Sequence, residues 1–171
     1  MARKIVVATD GSKTADRAVR RAAELSQKLG ADLIVVHVLL HGRPAQELRR
    51  LAEAENLVEA AKLPDVFARR SLVGLGRSVE EELEDIRLVG ALGDELLIQA
   101  KQAAEDAGAR NVSTRVCAGD YADEILEVAE AEKADMIVVG NRGLGRLREA
   151  LLGSVSQKIL HHAPCTVVVV R

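Results

Sequence analysis

The sequence predicts an α/β fold built on an open, doubly wound, five-stranded parallel sheet. Four short runs are continuously apolar and rich in β-branched residues, as parallel strands covered on both faces are. Amphipathic helical patterns separate the runs. Right-handed crossovers between parallel strands then distribute the helices over both sides of an open sheet.

The elements follow in order. Ile5–Ala8 is the first strand. Ala15–Leu29 is a helix with Ala15, Ala18, Val19, Ala22, Leu25 and Leu29 on one face and Gly30 as its stop. Leu33–Val38 is the second strand. The segment Pro44–Gly108 exceeds what a crossover needs. In it, Ala45–Lys62 reads as a polar-rich helix ending before Pro64, and Phe67–Gly76 as a loop. Ser78-Val79-Glu80-Glu81 has capping-box spacing and opens a helix towards Ala107, with Gly90 and Gly93 as points of kinking or interruption. No Pro/Gly/Ser linker sets this region off, so 1–171 is read as one domain with a helical elaboration at about 44–108. Val112–Cys117 alternates apolar and polar residues and reads as a half-exposed third strand. Tyr121–Ala131 is a helix with Ile125, Leu126 and Ala129 inward. Met136–Val139 is the fourth strand. Leu147–His162 is a helical pattern through Leu151, Leu152, Val155 and Ile159, stopped by Ala163-Pro164. Thr166–Val170 is the last strand.

Composition narrows the function. The chain has 171 residues, 48% hydrophobic and 29% charged, as a globular domain with its own core requires. A net charge of −2 offers no electrostatic footing for nucleic acid or an anionic membrane. Tyr121 and Phe67 are the aromatic residues, too few for a base-stacking platform. Cys117 and Cys165, far apart, suit a reduced, cytoplasmic setting. The start reads as a strand rather than a signal peptide, and no apolar run approaches the ~18 residues of a membrane span.

The chemistry concentrates at two strand ends. Ligands of open parallel sheets lie outside the carboxyl ends of strands, where strand order reverses. The first strand ends in Ala8-Thr9-Asp10-Gly11-Ser12, and the fourth in Gly140-Asn141-Arg142-Gly143-Leu144-Gly145-Arg146. If these strands are neighbours, the two loops face one crevice. Gly140 and Gly143 let the backbone turn and approach a ligand, and successive N–H groups there form an anion nest. Arg142 and Arg146 add guanidinium forks suited to phosphate. Gly153-Ser154, read within the following helix, brings a hydroxyl to the same phosphate. A lone Gly-x-x-Gly is more often a tight connection. Three glycines and a serine in the spacing Gly140-x2-Gly143-x9-Gly153-Ser154, directly after a buried strand, favour a phosphate cradle. No Lys follows the glycines, so this is not the usual P-loop.

On these residues the chain resembles the ATP-binding universal stress proteins, whose nucleotide motif G-x2-G-x9-G-[ST] residues 140–154 match in full. Lys4–Ser12, Val35-Val36-His37-Val38 and Ala163–Val170 resemble the family's opening, second and closing strands; residues 44–105 resemble it weakly. The resemblance implies a Rossmann-like, adenine nucleotide alpha hydrolase-like sheet of order 3-2-1-4-5. It implies ATP in the crevice, with AMP, a cyclic nucleotide or another adenine nucleotide as alternatives, and Mg²⁺ or Mn²⁺ carried by the phosphates. Asp10 and the Val38 backbone would meet adenine, with Ala8 and Thr9 lining that pocket. The loop Gly140, Asn141, Arg142, Gly143, Leu144, Gly145, Arg146 would hold ribose and phosphates, and Gly153, Ser154 and Val155 would complete the phosphate site. The family often has Pro at the position of Ala8 and His at that of Arg142. It also often dimerises through its last strand, which would protect the apolar edge Thr166–Val170.

The remaining polar residues read structurally. Ser12 can cap the first helix as well as Asp10 can, which leaves Asp10 for a ligand. His37 reads as structural, and His41, His161 and His162 lack metal-ligand spacing. His162 suits a helix C-terminus, and Asp120, Asp123 and Glu124 suit a helix start. Cys117 and Cys165 read as small apolar side chains. Glu47–Glu59 reads as a solvated face. No catalytic residue is assigned. The expected function is a homodimeric, nucleotide-dependent stress-response protein, the alternatives being a slow ATPase or a scaffold acting through 44–108 without nucleotide.

Overall fold

The computed structural model of the chain describes residues 3–40, 79–142 and 152–171. Its elements are β1 (Lys4–Ala8), α1 (Lys13–Leu29), β2 (Asp32–Leu40), α2 (Val79–Asp106), β3 (Val112–Gly119), α3 (Tyr121–Ala131), β4 (Met136–Gly140), α4 (Ser154–His162) and β5 (Thr166–Val170). The helix read over Ala45–Lys62, the loop Phe67–Gly76, Ser78, His41 and the face Glu47–Glu59 lie outside the described residues.

The strands form one parallel sheet in the order β3-β2-β1-β4-β5. β1 is central, with Val6 opposite Ile34 on one side and Ile137 on the other. Alternate residues of each strand enter two cores. Ile5, Val7, Leu33, Val35 and Val138 pack with Ala18, Val19 and Ala22 of α1 and Leu97, Ala100 and Ala104 of α2. Val6, Ile34, Val36, Val38, Ile137 and Val139 pack with Ala122, Ile125 and Val128 of α3 and Ile159 of α4. Burial on both faces is why these strands show no polar alternation. β3 is an edge strand with Ser113–Val116 exposed, which accounts for its alternating sequence.

The helix ends follow local chemistry. Ser12 caps α1 by accepting from the Ala15 N–H at 3.2 Å. Gly30 ends it at φ 61, a left-handed position open to glycine, and donates to the Ser26 carbonyl. Leu29, read as inward, is 40% exposed at that last turn. Asp120 caps α3 through the N–H groups of Ala122 and Asp123, and Lys158 of α4 reaches Asp120 at 3.1 Å and Asp123 at 2.7 Å. The hydrogen bond from Lys158 and the capping N–H groups hold the Asp120 carboxyl below its ordinary range, although the group is solvent-exposed. α2 runs through Gly90 and Gly93 without interruption.

The expected helix Leu147–His162 begins later. Residues 143–151 lie outside the described residues, Leu152 is in a bend, and Gly153 is the extended N-cap at φ −73, ψ 156. The apolar spacing of Leu151 and Leu152 continues the helical period, but Gly153 marks the helix start. Among the described residues no helix is long and apolar enough to cross a membrane.

Candidate functional site

The topology creates the crevice. β1 and β4 are neighbours, yet α1 leaves β1 towards one face of the sheet and α4 leaves β4 towards the other. Their carboxyl ends therefore form a switch point, the position at which open α/β sheets bind ligands.

The β1 side is a tight, internally bonded loop. The buried Thr9 continues the ladder, its N–H donating to the Val36 carbonyl at 2.9 Å. Asp10 accepts from the Ser12 N–H through Oδ1 at 3.1 Å, an Asx turn that leaves helix capping to Ser12. Gly11 sits at φ 77, and its N–H donates to Thr9 Oγ1 at 3.3 Å. His37 approaches the Thr9 carbonyl with Nδ1 at 2.9 Å from beneath.

The β4 side is fastened to two helices. The Asn141 N–H donates to the Val170 carbonyl at 2.6 Å, and the Asn141 carbonyl accepts from the Gly153 N–H at 2.7 Å. Ser156 Oγ donates to the Gly140 carbonyl at 2.7 Å. Thr14 Oγ1, in the first turn of α1, donates to the Arg142 carbonyl and lies 3.2 Å from Ser12 Oγ. The N-termini of α1 and α4 thus both converge on residues 140–142, each with its positive dipole end towards the crevice. Among the described residues no side chain caps α4, whose first intrahelical bond runs from Gln157 N–H to Gly153 carbonyl. The N–H groups of Ser154, Val155 and Ser156 precede that bond, which is the arrangement that receives an anion.

The glycines divide by role. A Cβ on Gly140 would stand 3.1 Å from the Thr14 carbonyl carbon, 3.2 Å from its oxygen and 3.2 Å from the Ala15 nitrogen. Gly140 is therefore the residue that lets β4 approach the backbone of α1 this closely. A Cβ on Gly153 would meet only ordinary contacts, 3.4 Å from the Asn141 oxygen and 3.5 Å from the Arg142 Cα.

The charge at the mouth is mixed. Asp16, in the first turn of α1, has its carboxyl held above the ordinary range by burial, with Arg20 opposing the shift and the charge of Asp10 adding to it. Asp10 and Asp16 therefore lie within electrostatic reach of each other. Among the described residues, no group of three or more His, Cys, Asp or Glu could hold a metal ion.

The structure brings Thr9, Asp10, Gly140, Asn141, Arg142, Gly153 and Ser154 to the ends of β1 and β4. Ala8 and the buried Val38 line the α3/α4 face of the sheet beside the crevice, and Val155 packs at the edge of the same core. Gly143, Leu144, Gly145 and Arg146 lie outside the described residues. Sequence reasoning passed over Thr14 and Ser156. Their hydroxyls fix the β4 loop, and nothing but the serine and threonine spacing near each helix start could have marked them. Cys117 and Cys165 are free and half-buried, with both thiols pushed up by burial.

Comparisons with known proteins agree with this fold. The profile of the Universal stress protein family matches residues 1–171. Universal stress protein YxiE of Bacillus subtilis is 33% identical over 172 residues, covering 100% of both chains. Universal stress protein Rv1636 of Mycobacterium tuberculosis is 34% identical, covering 98% of this chain and 94% of its own. Among solved structures, a universal stress protein in complex with cAMP superposes with a TM-score of 0.64 at 25% identity, covering 99% of this chain and 97% of that one.

Proposed function

The chain belongs to the universal stress protein family, and from that premise we propose that it binds an adenine nucleotide, ATP foremost, between the β1 and β4 loops. The observation that carries this reading is the N-terminus of α4, which no side chain among the described residues caps and which Gly153 ties to the Asn141 carbonyl at the switch point. A phosphate group fits there: three N–H groups precede the first intrahelical bond, and the missing Cβ at Gly153 leaves the approach open. The relative crystallised with cAMP supports an adenine nucleotide as the ligand class.

In this reading Ala8, Thr9, Asp10 and the Val38 backbone receive adenine and ribose. Gly140, Asn141, Arg142, Gly143, Leu144, Gly145 and Arg146 flank ribose and phosphates, and Gly153, Ser154 and Val155 complete the phosphate site. Mg²⁺ or Mn²⁺ accompanies the phosphates and keeps several waters. Bound nucleotide supplies no chemistry by itself. The residues orient it, and the absence of Lys from the run Gly143-Leu144-Gly145-Arg146 favours a nucleotide-dependent switch over fast phosphoryl transfer. Titration of nucleotide-free protein with ATP and Mg²⁺ tests this. Saturable binding is the expected result, and none at millimolar ATP would sink the reading.

The same reading makes the chain one cytoplasmic domain that dimerises through β5. That strand is a sheet edge whose valines are only half-buried. The Thr166 N–H donates to Asp135 and the Val170 carbonyl accepts from Asn141, so residues 166, 168 and 170 face β4. The N–H groups of Val167 and Val169 point outward. Val169→Pro removes one outward donor and leaves the β4 ladder intact. It should convert the dimer to monomer in sedimentation velocity with an unchanged circular dichroism spectrum. A dimer of unaltered stability would move the interface away from β5.

A further inference from the structure

We propose that His37 is a positioning residue that ties the Thr9–Ser12 loop of the site to helix α2, through its own imidazole on one side and Gly93 on the other. The functional consequence rests on the nucleotide reading above; the mechanical link does not.

His37 is 1% exposed, in β2, on the sheet face that packs α1 and α2. Its Nδ1 lies 2.9 Å from the Thr9 carbonyl. A carbonyl only accepts, so Nδ1 carries the proton and donates. Thr9 stands immediately beyond the end of β1, and its own N–H already donates to Val36 at 2.9 Å. β2 therefore grips Thr9 twice, once by backbone and once by this imidazole. The second grip fixes the peptide plane that leads into Asp10. The Asx turn of Asp10 and the Gly11 N–H to Thr9 Oγ1 bond are built on that plane.

The far side of the ring explains a glycine. Gly93 lies in the interior of α2, where glycine is unfavourable and needs a reason. A Cβ there would stand 3.2 Å from His37 Cδ2, 3.6 Å from Nε2 and 3.4 Å from Leu39 Cδ2. α2 thus rests on the imidazole at a separation only glycine permits without displacement. A shift of α2 across the sheet moves the ring, and the ring moves the Thr9 carbonyl. Rearrangement of the loop around a ligand travels the same route outward. α2 leads into the edge strand β3, so His37 links that helix to the site.

Three variants and one double variant test this. His37→Leu fills the space but removes the donor; His37→Asn keeps a donor near the Nδ1 position in a smaller side chain. Gly93→Ala crowds the ring. NMR-detected hydrogen exchange of the Gly11 and Ser12 amides, measured without nucleotide, reads the loop, and ATP titration reads the site. One hydrogen bond's worth of order is lost in His37→Leu, so loop exchange should accelerate and ATP should weaken by about tenfold, with His37→Asn close to the unaltered protein. Gly93→Ala should loosen the loop, and His37→Asn in the same chain should reverse that by making room, a coupling that independent effects do not produce. If His37 merely fills the core, the order inverts: Leu is tolerated, Asn is not, and the Gly93 and His37 effects add. That pattern overturns the proposal. Should the unaltered chain fail to bind ATP, the nucleotide reading falls, and the exchange rates alone still decide the link.

Discussion

Gly140→Val should lower thermal stability and remove nucleotide binding together. The added Cβ meets the Thr14 carbonyl carbon at 3.1 Å and the Ala15 nitrogen at 3.2 Å, and these are backbone atoms of a capped helix that packs across β1 and β4. They cannot swing aside as a side-chain tip would. Either α1 lifts at its first turn or β4 backs out of the ladder. Overpacking of this kind costs about 1–3 kcal/mol or more, and Val adds two methyl groups to the clash. For a chain of this size, each kcal/mol corresponds to roughly 2–4 °C in Tm. A fall of about 5–10 °C in a circular dichroism melt is therefore expected. Binding should be lost at temperatures where the variant is still folded. The same displacement breaks the Thr14 hydroxyl bond to the Arg142 carbonyl and the Ser156 bond to the Gly140 carbonyl, which hold the loop in place. A variant that melts where the unaltered protein does would refute the role given to Gly140.

Gly153→Leu should do the opposite, sparing the fold and removing the ligand. The backbone at Gly153 is extended, with φ −73, a conformation any residue adopts, and a Cβ there meets nothing nearer than 3.4 Å. The stability cost is that of a poor N-cap, about 1 kcal/mol. A leucine side chain at that point would stand over the N–H groups of Ser154 and Val155, where the phosphates are proposed to lie. Excluding a phosphate from a helix N-terminus and its neighbouring amides should weaken ATP by about 100-fold or more, the equivalent of two or three charge-assisted hydrogen bonds. Gly153→Ala should retain most of the affinity. The two glycines of one motif would then separate by assay, Gly140 through melting and Gly153 through binding. Loss of less than a few-fold in affinity for Gly153→Leu would place the phosphates elsewhere.

This division between the glycines was not legible in the sequence. Both occupy fixed places in one spacing, and the spacing alone suggests one purpose. The difference depends on which backbone lies opposite each Cα, and that is set by α1 packing onto β4, a contact between segments about 125 residues apart in the chain. The inner strands were legible because burial on both faces leaves Ile5–Ala8, Leu33–Val36 and Met136–Val139 unbroken by polar residues. The start of α4 was not, because Leu151, Leu152 and Val155 keep a helical period across the Gly153 cap. Asp10 and Ser12 could be weighed against each other as caps, and the structure gives the cap to Ser12. His37 could be read as buried but not as a donor to Thr9, since that bond joins residues 28 apart.

The carboxyl ends of β1 and β4 are proposed to receive an adenine nucleotide. Following the backbone amides by NMR while ATP and Mg²⁺ are added tests it most directly. Saturating shifts concentrated at Thr9–Ser12, Asn141–Arg142 and Ser154–Ser156, with a common dissociation constant, are the expected result. Saturating shifts that leave these three groups unmoved and gather elsewhere on the chain would contradict it.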